Sequence, residues 1–265
     1  MGNFTEVLRW TIKNDFVEPF PEIVFFILVL IVATNNFVSV GGTEDLFANL
    51  TWKTIIILIV LVGIGGTRSY SQALEKGETA TEMLTMRVSR VRFAILKYFS
   101  VFLTLSGIIL AVDFFAFFEF LGYFPWISVY STWGSAPVAS FVVMFLEQLV
   151  LLFLLNSLII LIAFCVKKST VTLLVFFTFG LFWAMPSIFT PSVVPGYLQL
   201  GYGDNQIANQ ISQFVFVLLY RNTPAMIALT TPDATAILSF AYRGCVGALA
   251  LIAAVQVFKW TDMDY

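Results

Sequence analysis

Three ionisable positions stand inside apolar runs of this sequence and are its first candidates for chemistry: Asp113, Glu147 with Gln148 beside it, and Arg243. A charge placed in hydrocarbon costs roughly 3 kcal/mol on insertion scales, so each such group needs a partner or a wet cavity. Intramembrane carboxylates either take up and release protons or ions, or pair with a cation and tie helices together. Glu147 or Asp113 paired with Arg243 would meet the second description. Asp113 and Arg243 lie near the ends of their runs, where headgroups are also within reach. Glu147 lies ten residues past Pro137, close to mid-depth.

Most other chemistries lack their residues. Histidine is absent, which removes haem ligation through histidine, most zinc and copper sites and the usual neutral-pH proton shuttle. No G-x-x-x-x-G-K-[ST] phosphate loop is present. The glycines of GIGG, Gly63–Gly66, lie in an apolar run without the lysine a phosphate cradle needs, and they read as close helix packing. Cys165 and Cys245 fall inside apolar runs and read as buried thiols, not a disulfide. No basic excess or aromatic–basic interleaving points to nucleic acid. The chain is therefore expected to hold no catalytic site, metal or cofactor of its own.

The elements that must carry these groups are membrane spans. Of the 265 residues 59% are hydrophobic and only 11% charged, with a mean hydropathy of +0.92, more apolar surface than a soluble domain of this size can hide. A bilayer core of about 30 Å needs around 20 apolar residues per helix. Six runs qualify: 21–40, 52–66, 93–118, 137–166, 171–188 and 235–258. They are continuous, without the alternating polarity of a barrel strand, so the expected fold is an all-α polytopic membrane protein, one transmembrane domain over 1–265. The N-terminus has no signal-peptide pattern. With both termini inside, the inner segments hold Arg9, Lys13, Arg68, Lys76, Arg87, Arg90, Arg92, Lys97, Lys167, Lys168 and Lys259, and the outer ones only Lys53, Arg221 and Arg243. That asymmetry puts both termini in the cytoplasm of a multi-pass cell-membrane protein. The long outer connector, 190–234, contains an apolar stretch at Ile211–Leu229 that either re-enters the outer leaflet or lies along the surface.

Charge concentrates in one inner connector, 67–92, which runs into the third span through the text EKGETATEMLTMRVSRVRFAILK, Glu75–Lys97. Projected as a helix over Ser69–Val91, it gathers Ala73, Gly77, Ala80, Leu84, Val88 and Val91 within about 40° of one line. Glu75, Glu78 and Glu82 fall opposite, with Lys76, Arg87 and Arg90 along one flank. Such sorting suits a helix lying along a membrane or against a protein, and Arg90, Arg92 and Lys97 form a basic collar where the third span begins.

This connector resembles the membrane subunits of ABC-2 type transporters, in particular the six-span NosY-like group. In that family the second span leads into a cytoplasmic helix with text close to E-x-x-GT-x-x-x-LL-x-x-PVSR, and a lysine follows seven residues after the arginine. Glu75, Gly77, Thr79, Met83, Leu84, Val88, Ser89, Arg90 and Lys97 stand in that order here. Arg87 replaces the family's proline, and Glu78 separates a glycine and a threonine that are normally adjacent, which marks a distant member. The amphipathic start EVLRWTIKNDFVEPF, the stretch RNTPAMIAL before the sixth span and the close VFKWTDMDY extend the likeness in architecture over nearly the whole chain.

The resemblance implies a permease subunit whose connector is a coupling helix docking on a separate ATP-binding cassette ATPase, with ATP and Mg held on that partner. Carried over, the coupling surface is Glu75, Gly77, Glu78, Thr79, Glu82, Leu84, Val88, Ser89, Arg90 and Lys97. A second copy of this chain or a homologous permease completes the pathway, and membrane lipid surrounds it. Most of the family exports, so export is expected. Two rivals remain: a structural membrane subunit of a respiratory or oxygenase complex, and an ion-coupled secondary transporter using Glu147 or Asp113. No internal repeat or pair of broken helices supports the latter.

Overall fold

The computed structural model describes residues 4–13, 57–86, 88–123, 136–188 and 234–260, and among these the regular structure is entirely helical. The elements are α1 (Phe4–Thr11), α2 (Ile57–Glu75), α3 (Glu78–Met86), α4 (Arg90–Tyr123), α5 (Ala136–Val166), α6 (Ser169–Ile188) and α7 (Ala234–Trp260). Among the described residues, four stretches are long and apolar enough to cross a membrane: Ile57–Glu75, Arg90–Val112, Phe145–Val166 and Phe240–Trp260. α6 is also apolar over its 20 residues. The expected first span, 21–40, and residues 190–233 of the expected outer connector lie outside the described residues.

These runs are helical although rich in β-branched residues. In hydrocarbon only an intrasegment ladder satisfies every backbone N–H and C=O, and that requirement outweighs side-chain propensity. The 31 residues of α5 rise about 46 Å at roughly 1.5 Å each, so the helix must tilt in a bilayer core of about 30 Å or project beyond it.

α5 is the central pillar: α7, α4, α2 and α6 all pack against it. Its buried side includes Leu151, Leu152, Leu155, Ile159 and Ile160, which meet Leu58 and Val62 of α2 and Val101, Leu105 and Ile109 of α4. Phe258 of α7 stacks on Phe164 of α5 with ring centroids 4.4 Å apart, and on Phe93 of α4 at 6.4 Å. Small residues let the backbones approach, as the GIGG text suggested. A Cβ on Gly66 would stand 2.8 Å from Ile159 Cγ2, and one on Gly63 2.9 Å from Phe177 Cζ. Gly247 does the same for α7, where a Cβ would meet Phe153 Cδ1 at 2.7 Å.

Two expectations are corrected. α2 does not end near Gly66 but continues to Glu75 through a π-helical segment, Thr67–Gln72. In addition, Ser69–Val91 is not one helix. Gly77, at φ +71°, takes the left-handed conformation that a Cβ disfavours. Its N–H closes on the Leu74 carbonyl at 3.1 Å, ending the first piece. α3 then starts in a new phase, and a second break at Val88–Ser89 precedes α4. The two cysteines also differ from expectation: Cys165 and Cys245 are free thiols on exposed faces of α5 and α7. Each apolar helix keeps only part of its circumference for the bundle, and the outward part is equally apolar, so an apolar neighbourhood in sequence does not distinguish the two sides.

Candidate functional site

The connector is held to the bundle at three places, and the ties account for several of the residues singled out above. Glu75, the last residue of α2, accepts hydrogen bonds from the N–H of Ser169 at 3.1 Å and from its hydroxyl at 2.7 Å. It thereby satisfies an amide at the start of α6 that has no intrahelical partner. Within α3, Thr79, Ala80, Glu82 and Met83 turn inward, while Glu78, Thr81 and Leu84 face out.

Glu82 is the second tie. Its Oε2 lies 3.6 Å from Nζ of Lys97 on α4, and both residues are nearly sealed from solvent, at 4% and 3% exposure. The same ammonium sits 5.5 Å from the centroid of the Trp10 ring, brought there by α1 packing against α4. The acidic face expected of Glu75, Glu78 and Glu82 is thus divided: Glu78 is exposed, Glu75 is engaged with Ser169 and Glu82 is buried. Leu84, expected on one apolar line with the buried Ala80, is 66% exposed. Both differences follow from the turn at Gly77, which breaks the uninterrupted 100° progression on which the projection rested.

At the far end, Val88 packs against the apolar core. Ser89 stays exposed and its carbonyl accepts the Phe93 N–H at 2.8 Å, the first hydrogen bond of α4. Arg90 begins α4 half-exposed.

A buried polar layer, not anticipated as a unit, lies just inside these ties. Tyr70 on α2 donates from its hydroxyl to Oδ1 of Asn156 on α5 at 3.0 Å. Nδ2 of Asn156 donates to the carbonyl of Tyr98 at 3.4 Å, and the Tyr98 hydroxyl lies 3.0 Å from that of Ser157. Ser71 and Thr172 join α2 to α6 at 3.0 Å. The signal in the text was the pair Asn156–Ser157 inside LLFLLNSLIILI, because amide and hydroxyl groups in such a run must find partners on neighbouring helices.

Three of the polar residues singled out in apolar runs lie on α5 and α7. Glu147 and Gln148 on α5 and Arg243 on α7 are all buried, at 8%, 2% and 5% exposure. Glu147 and Arg243 attract each other electrostatically across the α5–α7 interface. Asp113 belongs to α4, but its side chain lies outside the described residues. Among the described residues no group of three or more histidine, cysteine or acidic side chains is gathered as a metal site would require.

Compared with protein-family models, with curated proteins and with solved structures, the chain matches none.

Proposed function

We propose that this chain is the permease subunit of an ABC-2 type ATP-driven transporter, an exporter with six spans and both termini cytoplasmic in the cell membrane. It works with a separate ATP-hydrolysing subunit, which holds ATP and Mg, and with a second copy of itself or a homologous permease. The observation that carries this reading is α3, a short amphipathic helix pinned to the bundle on one side and presenting Glu78, Thr81 and Leu84 on the other. An exposed leucine between polar neighbours, on an element too polar and short to span, has the character of a docking ridge. The family-like spacing from Glu75 to Lys97 supports it, and the excess of Lys and Arg on that side supports its cytoplasmic orientation. Nucleotide-driven closure of the partner would press on this ridge, and the spans would rearrange between inward- and outward-open states.

The test is affinity purification of the full chain from its native membrane, with and without Glu78→Lys and Leu84→Asp. The wild type should bring down an ATPase containing a phosphate loop, and both variants should lose it while still inserting. Recovery of stoichiometric redox subunits and no ATPase would replace this reading with that of a structural subunit.

A further inference from the structure

Lys97 is the meeting point of three chain segments. It belongs to α4, its ammonium pairs with Glu82 of α3, and the Trp10 ring of α1 faces it from the third side. The covalent connections of α3 are the left-handed turn at Gly77 and the break at Val88–Ser89, and among the described side chains its buried face offers Thr79, Ala80 and Met83 besides Glu82. An element attached through two turns and a small apolar face can swing unless something directional bridges it to its neighbour.

A buried ion pair is suited to that task. It contributes little net stability compared with apolar side chains of the same volume, yet it is satisfied at one register alone, because any slip leaves a charge desolvated and unpaired. The aromatic ring adds a second directional preference for the ammonium.

We propose that Lys97 is a positioning residue, clamped by Glu82 and Trp10, that locks α3 to α4 so that displacement of α3 carries α4 with it. This deepens the transporter reading and rests on it for its meaning, since α3 is there the element on which the ATPase presses. The lock itself is a property of this chain and is measurable without any partner.

The experiment places spin labels at Leu84→Cys on α3 and Leu103→Cys on α4, both exposed, in full-length protein carrying Cys165→Ser and Cys245→Ser, reconstituted in lipid nanodiscs. The parent should show a single narrow distance distribution, and Lys97→Arg should retain it. Glu82→Leu with Lys97→Met replaces the pair by apolar groups of similar volume. It should keep the melting temperature but lose the narrow peak. A double variant as narrow as the parent overturns the proposal, as does Lys97→Arg as broad as the double variant. A melting temperature that falls together with the peak makes Lys97 a stability residue and overturns it too. Failure to recover an ATPase strikes the transporter reading and leaves the distance result to judge the lock.

Discussion

The carboxylate of Glu75 accepts two hydrogen bonds from Ser169, at 3.1 and 2.7 Å, and so joins the end of α2 to the start of α6 across 94 positions of sequence. A helix start is ordinarily capped by its own flanking residue; here the acceptor comes from a distant segment. Glu75→Ala should therefore raise amide hydrogen exchange at the first turn of α6, and Ser169→Ala, which keeps the backbone N–H donor, should do so to a smaller degree, with no further increase in the double variant over Glu75→Ala alone. Additive increases would show that the two side chains act separately.

Glycines in this bundle divide into two kinds. Gly247→Ala would place a Cβ 2.7 Å from Phe153 and 3.2 Å from the Leu154 Cα. Backbone cannot swing aside as a ring can, so this substitution should cost about 1–3 kcal/mol. Gly107→Ala meets nothing within 4 Å and removes a flexible residue from the interior of α4, which should stabilise by up to about 1 kcal/mol. Thermal unfolding in one detergent checks both signs.

Lys167 follows α5 at φ +59°, with its N–H bonded to the Ala163 carbonyl at 2.9 Å. A side chain in the left-handed region is disfavoured, and glycine is not, so Lys167→Gly should stabilise by about 1 kcal/mol despite its larger unfolded-state entropy. Lys167→Val, with a branched Cβ, should destabilise. Melting temperatures in the opposite order would contradict the strain assigned to this turn.

Glu147 and Arg243 should behave as a unit. Both groups are buried on helices that pack together and act on each other electrostatically, so removing one charge by Glu147→Gln should lower stability by roughly 0.5–3 kcal/mol. Combining it with Arg243→Met should recover most of the loss, and a double-mutant cycle on thermal stability measures the recovery. If Glu147→Gln leaves stability at the wild-type level, the carboxylate has no part in it.

Much of the helical architecture was legible in the text. The apolar runs at 93–118, 137–166, 171–188 and 235–258 coincide closely with α4 to α7, because length and hydropathy are what a bilayer tests, residue by residue. GIGG as a packing motif was legible for a related reason: small side chains in lipid have few uses other than close approach. The connector was readable as charged and amphipathic, but not its facing. The projection assumed constant phase from Ser69 to Val91, and one left-handed residue at Gly77 undid it. Glu82 and Leu84 consequently exchanged sides. The outward position of Cys165 and Cys245 was hidden as well, since a lipid-facing flank and a helix-facing flank have the same composition.

By itself, then, the sequence determined which stretches must be helical and apolar enough to cross a membrane, because those are local demands of backbone hydrogen bonding and transfer energy. It also determined where ionisable groups are few enough to require partners. Only the tertiary structure decided who those partners are: Ser169 for Glu75, Lys97 for Glu82 and Asn156 for Tyr70. Each of these joins different helices, and such an electrostatic or hydrogen-bonded match depends on how helices are stacked and turned, a property that no single segment carries.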